Sequence, residues 1–193
     1  KNLAYKLNCD AIKNIVKICK SNNIYLIHFS SDYVFSGKKG NYKETDKTEP
    51  INYYGNTKKI GEKIITDNLN SFVIFRLSWL MGNYNNNFLK KIVFFLKNKK
   101  KIFMVKDQIS NPTTTILVSK VVKICCENYF DKKKVFNGIF HLANEPSISK
   151  IDFTRYIYRR LIKLNLTNNS CKIKEIPFNE FKTIARRPLN SSF

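Results

Sequence analysis

The chain has 193 residues, of which 43% are hydrophobic and 13% aromatic, enough for one packed domain or one and a half and too apolar for a disordered chain. Its formal net charge of +21 comes from Lys far more than Arg, 29 to 6, spread along the chain among Asn, Ile, Phe and Tyr; AT-rich coding accounts for that mixture, and no nucleic-acid partner is expected. Apolar runs such as Ile92–Leu96 fall far short of the ~18–20 residues of a membrane span and the N-terminus has no signal-peptide pattern, so a soluble, cytoplasmic protein with no membrane partner is expected.

In chain order, Leu7, Ala11, Ile12, Ile15, Val16 and Ile18 recur at helical spacing over residues 5–20, and Ser21-Asn22-Asn23 ends that helix. The continuous apolar run 24–29 suits a parallel strand buried on both faces, and it delivers Ser30, Ser31 and Asp32 at its carboxyl end. A polar loop runs to Pro50. A helix follows over 52–70, then a second buried strand over 72–77, a helix over 86–98 and a short strand over 102–105. Beyond a loop holding Asp107 and Pro112, the pattern predicts a helix over 115–129, a strand over 138–142, a helix over 149–164, a strand near 172–176 and a brief helix near 178–183. This alternation predicts an α/β fold with a parallel sheet and crossover helices. The clusters Lys99–Lys101 and Lys132–Lys134 read as solvated helix ends or loops. The five cysteines have no metal-ligand spacing with His28 or His141 and read as reduced core thiols, with no metal site.

Tyr54 and Lys58 stand four apart within the helix over 52–70, so both side chains share a face, and Ser31 lies at the end of the preceding strand. A cation beside a phenol favours the phenolate and draws down a pKa that is ordinarily near ~10. With a hydroxyl to hold a substrate oxygen, these three groups make a proton-delivery device for reducing a carbonyl. His28 and His141 read as packed residues, and Glu44 as a solvated loop acid.

The wider pattern is specific. Ser30-Ser31-Asp32-Tyr33-Val34-Phe35-Ser36-Gly37, Tyr42-Lys43-Glu44, Tyr54-Gly55-Asn56-Thr57-Lys58 with Gly61-Glu62, Arg76-Leu77-Ser78-Trp79, Asn87-Phe88, Asp107–Thr113, Gly138–Leu142 and Ala185–Ser191 follow one another. In that order they resemble the motifs of the dTDP-4-dehydrorhamnose reductase family of extended short-chain dehydrogenase/reductases. The resemblance implies a Rossmann-like doubly wound parallel sheet with a small C-terminal α/β substrate-binding portion. Residues 1–105 would be the catalytic half of the dinucleotide-binding domain, and 106–193 mostly the substrate-binding portion, interleaved with the last sheet elements.

It also implies roles. Tyr54 would protonate the sugar C4 oxygen as hydride arrives from NADPH or NADH. Lys58 would lower the Tyr54 pKa and bind the nicotinamide ribose, and Ser30 joins them as a cofactor-binding candidate. Ser31, Asp32 and Tyr33 would lie at the dTDP-sugar, Trp79 would pack on the deoxysugar, Asn87 would contact the nucleotide-sugar, and Arg187 would clamp the diphosphate. Ser110 stands where the family has Gly, which is expected to alter the loop before Pro112. No glycine-rich dinucleotide cradle is present, and the chain begins at Lys1, so a piece of a longer protein, inactive alone, is expected. Alternatives of the same fold are a regulatory subunit of the methionine adenosyltransferase type, or another nucleotide-sugar reductase or epimerase. Cofactor preference, magnesium and a homodimer stay open.

Overall fold

A computed structural model describes every residue except Asn85, Lys132, Lys133, Asn169 and Lys182. The chain opens with α1 (Asn2–Tyr5), a π-helical stretch (Lys6–Asp10) and α2 (Ala11–Asn22), then β1 (Leu26–Ser31), α3 (Tyr53–Asn68), β2 (Phe72–Leu77) and β3 (Leu80–Met81). It continues through α4 (Phe88–Asn98), β4 (Lys101–Val105), β5 (Ile109–Ser110), β6 (Thr113–Thr114), α5 (Thr115–Phe130), β7 (Gly138–Leu142), β8 (Ile148–Ser149), α6 (Lys150–Lys163) and β9 (Lys172–Ile176). No helix among the described residues is long and apolar enough to cross a membrane.

β1, β2 and β7 form a parallel sheet in that order, with Ser31 opposite Leu77 and Leu77 opposite Leu142. Alternation along β2 decides what covers each face. Phe72 and Ile74 join Ile12, Val16 and Cys19 of α2 and Ile65 of α3, whereas Val73 and Phe75 meet Cys125, Leu117, Val118 and Val121 of α5. Helices thus lie on both faces, and all three strands end at one rim. β1 starts two residues later than the apolar run, and Phe29 is 39% exposed.

A second packing group gathers Ile92 and Leu96 of α4, Ile102 and Met104 of β4, Ile151, Tyr158 and Leu161 of α6, and Cys171. Its sheet is the parallel pair β4–β9, so β4 joins a strand some 70 residues downstream, not the three-stranded sheet. Two shorter pairs join loops: β3–β6 ties the turn after β2 to the segment entering α5, and β5–β8 ties the loop after β4 to the segment entering α6. The brief helix near 178–183 is a 3₁₀ turn at Phe178–Glu180, with Lys182 outside the described residues. So short a stretch cannot nucleate a stable α-helix, and the Asp107 carboxylate accepts from the Phe178 N–H at 2.9 Å instead. Lys99 and Lys100 lie in the α4–β4 turn and Lys101 opens β4; Lys132 and Lys133 lie outside the described residues.

Candidate active site

Asn52 caps α3, its side-chain oxygen accepting from the Gly55 N–H at 2.8 Å, and so fixes Tyr54 in the first helical turn. Gly55 lies against the Tyr33 carbonyl oxygen, where any Cβ would collide. This close approach sets the Tyr54 and Tyr33 rings edge-on, with centroids 5.9 Å apart. Gly61 permits a similar contact with the Asn8 carbonyl in the π-helical stretch. One turn along α3, Lys58 is buried and its ammonium donates to the Phe29 carbonyl at 2.5 Å.

Ser31, Tyr54 and Lys58 line one cleft of about 460 Å³ at the carboxyl ends of β1 and β2, together with Ser30, Asp32, Tyr33, Ser78 and Trp79. That volume is of the size small-molecule sites use. Tyr54, 46% exposed, opens onto it. Its pKa is raised rather than lowered: desolvation dominates, the Ser31 hydroxyl opposes it and the Asp32 charge adds to it. The expected depression by Lys58 is not found, because that ammonium is turned to the Phe29 carbonyl and is itself pushed down by burial, with Glu62 partly restoring it. The phenol therefore stays protonated at neutral pH, the form a proton donor needs.

Asp32 is 3% exposed and faces the interior. Ser31 donates to its Oδ1 at 3.0 Å, and Ser78, Ser110 and Ser191 donate to Oδ2 at 3.1, 3.1 and 2.6 Å. Burial raises the carboxyl pKa against these hydroxyls. One carboxylate thus ties the end of β1 to the loop after β2, to β5 and to the C-terminal segment. Ser110, the departure noted in the Asp107–Thr113 loop, supplies one of the donors and also contacts the Ser78 hydroxyl. Ser31 Oγ accepts the Tyr33 N–H at 3.2 Å, which holds Tyr33 at the cleft. Behind Lys58 a buried, bidentate Arg76–Glu62 pair, 3.0 and 2.8 Å, braces β2 against α3.

Trp79 has φ +32°, a strained conformation for a bulky residue. Its ring meets Phe88 at 5.8 Å and Phe153 at 6.5 Å between centroids. A second cleft of about 420 Å³ adjoins, lined by Asn87, Phe88, Lys150 and Arg187 among others. Asn87 lines it, but its amide is engaged in the scaffold: the oxygen accepts the Lys90 N–H at 3.1 Å and caps α4, and the nitrogen donates to the Gly82 carbonyl at 2.6 Å. The site residues read from the sequence therefore gather along two adjoining clefts. The motifs contain Ser31, Ser78, Ser110, Ser191, Arg76 and Glu62 but do not show the ring of serines on Asp32 or the Arg76–Glu62 brace, and the half-buried Lys150 lies outside every motif.

Ser30 Oγ is buried without a hydrogen-bond partner among the described residues and lines the same cleft as Lys58. An orphaned hydroxyl next to an ammonium fits the polar ribose or carboxamide edge of a nicotinamide nucleotide.

A parallel sheet flanked by helices, with Ser, Tyr and Lys converging at its strand ends, defines a Rossmann-like α/β protein of the extended short-chain dehydrogenase/reductase class. Within that class the chain belongs to the RmlD substrate binding domain family, whose profile matches residues 1–193. It is 33% identical to the dTDP-4-dehydrorhamnose reductase of Aggregatibacter actinomycetemcomitans over 97% of this chain and 64% of that protein. Identity to the Salmonella typhimurium LT2 enzyme of the same name is 30%, over 98% and 63%. The crystal structure of dTDP-4-dehydrorhamnose reductase from Bacillus anthracis, in complex with NADP, superposes with a TM-score of 0.87 at 30% identity, over 100% of this chain and 64% of that one. The chain thus spans just under two thirds of the length of these relatives.

Proposed function

We propose that the protein carrying this chain is an NAD(P)H-dependent reductase of dTDP-4-dehydro-6-deoxy-L-mannose, yielding dTDP-L-rhamnose in the cytoplasm. The observation that carries the reading is the convergence of Ser31, Tyr54 and Lys58 on one cleft with the Trp79 ring at its side. Bound nicotinamide supplies a hydride to the sugar C4. The Ser31 hydroxyl turns its single O–H from Asp32 Oδ1 to the C4 carbonyl oxygen, and the protonated Tyr54 phenol delivers its proton there as the oxygen gains charge. Lys58, bridged to β1 through the Phe29 carbonyl, presents its remaining N–H donors to the ribose and, with the orphaned Ser30 hydroxyl, orients the nicotinamide. Tyr33 and Trp79 shape the wall that receives the deoxysugar, and Asp32 holds the Ser31 hydroxyl until a substrate oxygen takes its place.

The experiment follows NADPH and NADH absorbance in a protein that joins this chain to a dinucleotide-binding half. Oxidation that depends on the dTDP-ketosugar is expected. No oxidation with that sugar, or equal oxidation with keto-sugars on other nucleotides, would remove the substrate assignment.

A further inference from the structure

Lys150 occupies a place that a lysine has little physical reason to hold. It is the first residue of α6, directly after the Ser149 cap, where the positive end of a helix disfavours a cation. Its ammonium sits 5.7 Å from the centre of the Trp79 ring and 5.4 Å from that of Phe88, and donates to the Gln108 side-chain oxygen at 2.5 Å. Burial pushes its pKa down to about 8, the Arg187 charge adds to that and Asp32 opposes it. Neither Lys150 nor Arg187 has a carboxylate within ion-pair distance among the described residues. Lys150 and Arg187 therefore line one cleft, with Lys91 also on its wall, without a carboxylate in ion-pair range among the described residues. Two ring faces and an amide oxygen moderate that charge without neutralising it.

The arrangement also has a direction. Trp79 lines the catalytic cleft and at the same time carries the Lys150 ammonium, while Lys150 and Arg187 line the adjoining cleft. A ligand with its carbonyl at Tyr54 and a sugar-sized body across Trp79 would bring its next group to the two cations.

We propose that Lys150 is a substrate-binding residue which, with Arg187, grips the diphosphate of the nucleotide-sugar. The assignment rests on the nucleotide-sugar reading above and adds to it a residue outside every motif that identified the site. A diphosphate supplies the counter-charge that both cations lack, and multiple phosphate oxygens accept from an ammonium and a guanidinium together.

The test is calorimetric titration of the chain with dTDP across pH. The charged groups facing Lys150 are Arg187 of the C-terminal segment and Asp32 at the end of β1; Lys91 of α4 lines the same cleft, and Asp152 of α6 is engaged by Ser149 and Arg155. The affinity of the unmodified chain for dTDP is expected to fall as pH rises through about 8, as the Lys150 ammonium loses its proton. Lys150→Gln should bind dTDP at least about tenfold more weakly and lack that step. Lys150→Arg should retain binding and carry it to higher pH. Unchanged dTDP affinity in Lys150→Gln, or a weakened variant that keeps the pH step near 8, overturns the Lys150 assignment and leaves the reductase reading standing. A folded, unmodified chain that binds no dTDP overturns the nucleotide-sugar reading and this grip with it.

Discussion

Tyr54 combines two demands that ordinarily conflict, since a proton donor must be open to its substrate and yet hold its proton at neutral pH. Its position in the first turn of α3 answers the first, and desolvation, which raises its pKa, answers the second. Tyr54→Phe is predicted to lower turnover by about 10²–10⁴-fold, the usual worth of a positioned acid, while dTDP-sugar binding changes little; a kcat within a few-fold of the parent would dismiss the assignment. At this scale the sequence was legible where chemistry coincides with local geometry. Tyr54 and Lys58 are helical neighbours four apart, and Ser31 ends an apolar strand. The hydroxyls on Asp32 were legible as members of separate motifs but not as a ring, because Ser78, Ser110 and Ser191 reach it from 46, 78 and 159 residues away and spacing alone does not show that they meet. Lys150 was hidden for a related reason: a lysine opening a helix looks solvated until Trp79 and Phe88 are seen around it.

Helix α3 carries the catalytic pair, and its seating depends on the close approach between Gly55 and the Tyr33 carbonyl. A methyl group there meets backbone rather than a flexible side chain, so the helix itself must move. Gly55→Ala is predicted to destabilise the fold by about 1–3 kcal/mol and to depress kcat even where the variant is fully folded. Urea unfolding and turnover measured on the same preparation check both, and full activity would mean that α3 tolerates displacement. The long elements were readable from period alone, since α2, α3, α5 and α6 each bury a face and β2 is apolar but for Arg76. What period could not supply was partnership. β4 and β9 pair across the second packing group, and the two-residue strands β3, β5, β6 and β8 exist only through partners distant in sequence.

Across the whole molecule, acid sensitivity should come from two histidines. Burial pushes His28 down to about 4, with the Lys58 charge adding to it, and burial also brings His141 to about 4, with Glu44 opposing. An unfolded histidine titrates near ~6.5, so between that value and about 4 the unfolded chain binds more protons than the folded one. Stability is therefore full above pH ~6.5 and declines as pH falls toward 4. The urea midpoint should be lower at pH 5 than at pH 7, and a His28→Gln variant that remains folded should show a smaller drop; equal midpoints at the two pH values would exclude this source. Stability is also unevenly distributed around the site. The positive φ of Trp79 costs about 1–3 kcal/mol, which the surrounding packing must offset. A glycine at that position would relieve the backbone but remove the ring that packs against Phe88 and Phe153 and carries the Lys150 ammonium. The lost packing outweighs the strain relieved, so Trp79→Gly should lower the melting temperature as well as strip away the wall proposed for the sugar. Directed evolution for thermal tolerance should leave Trp79 outside the randomised positions.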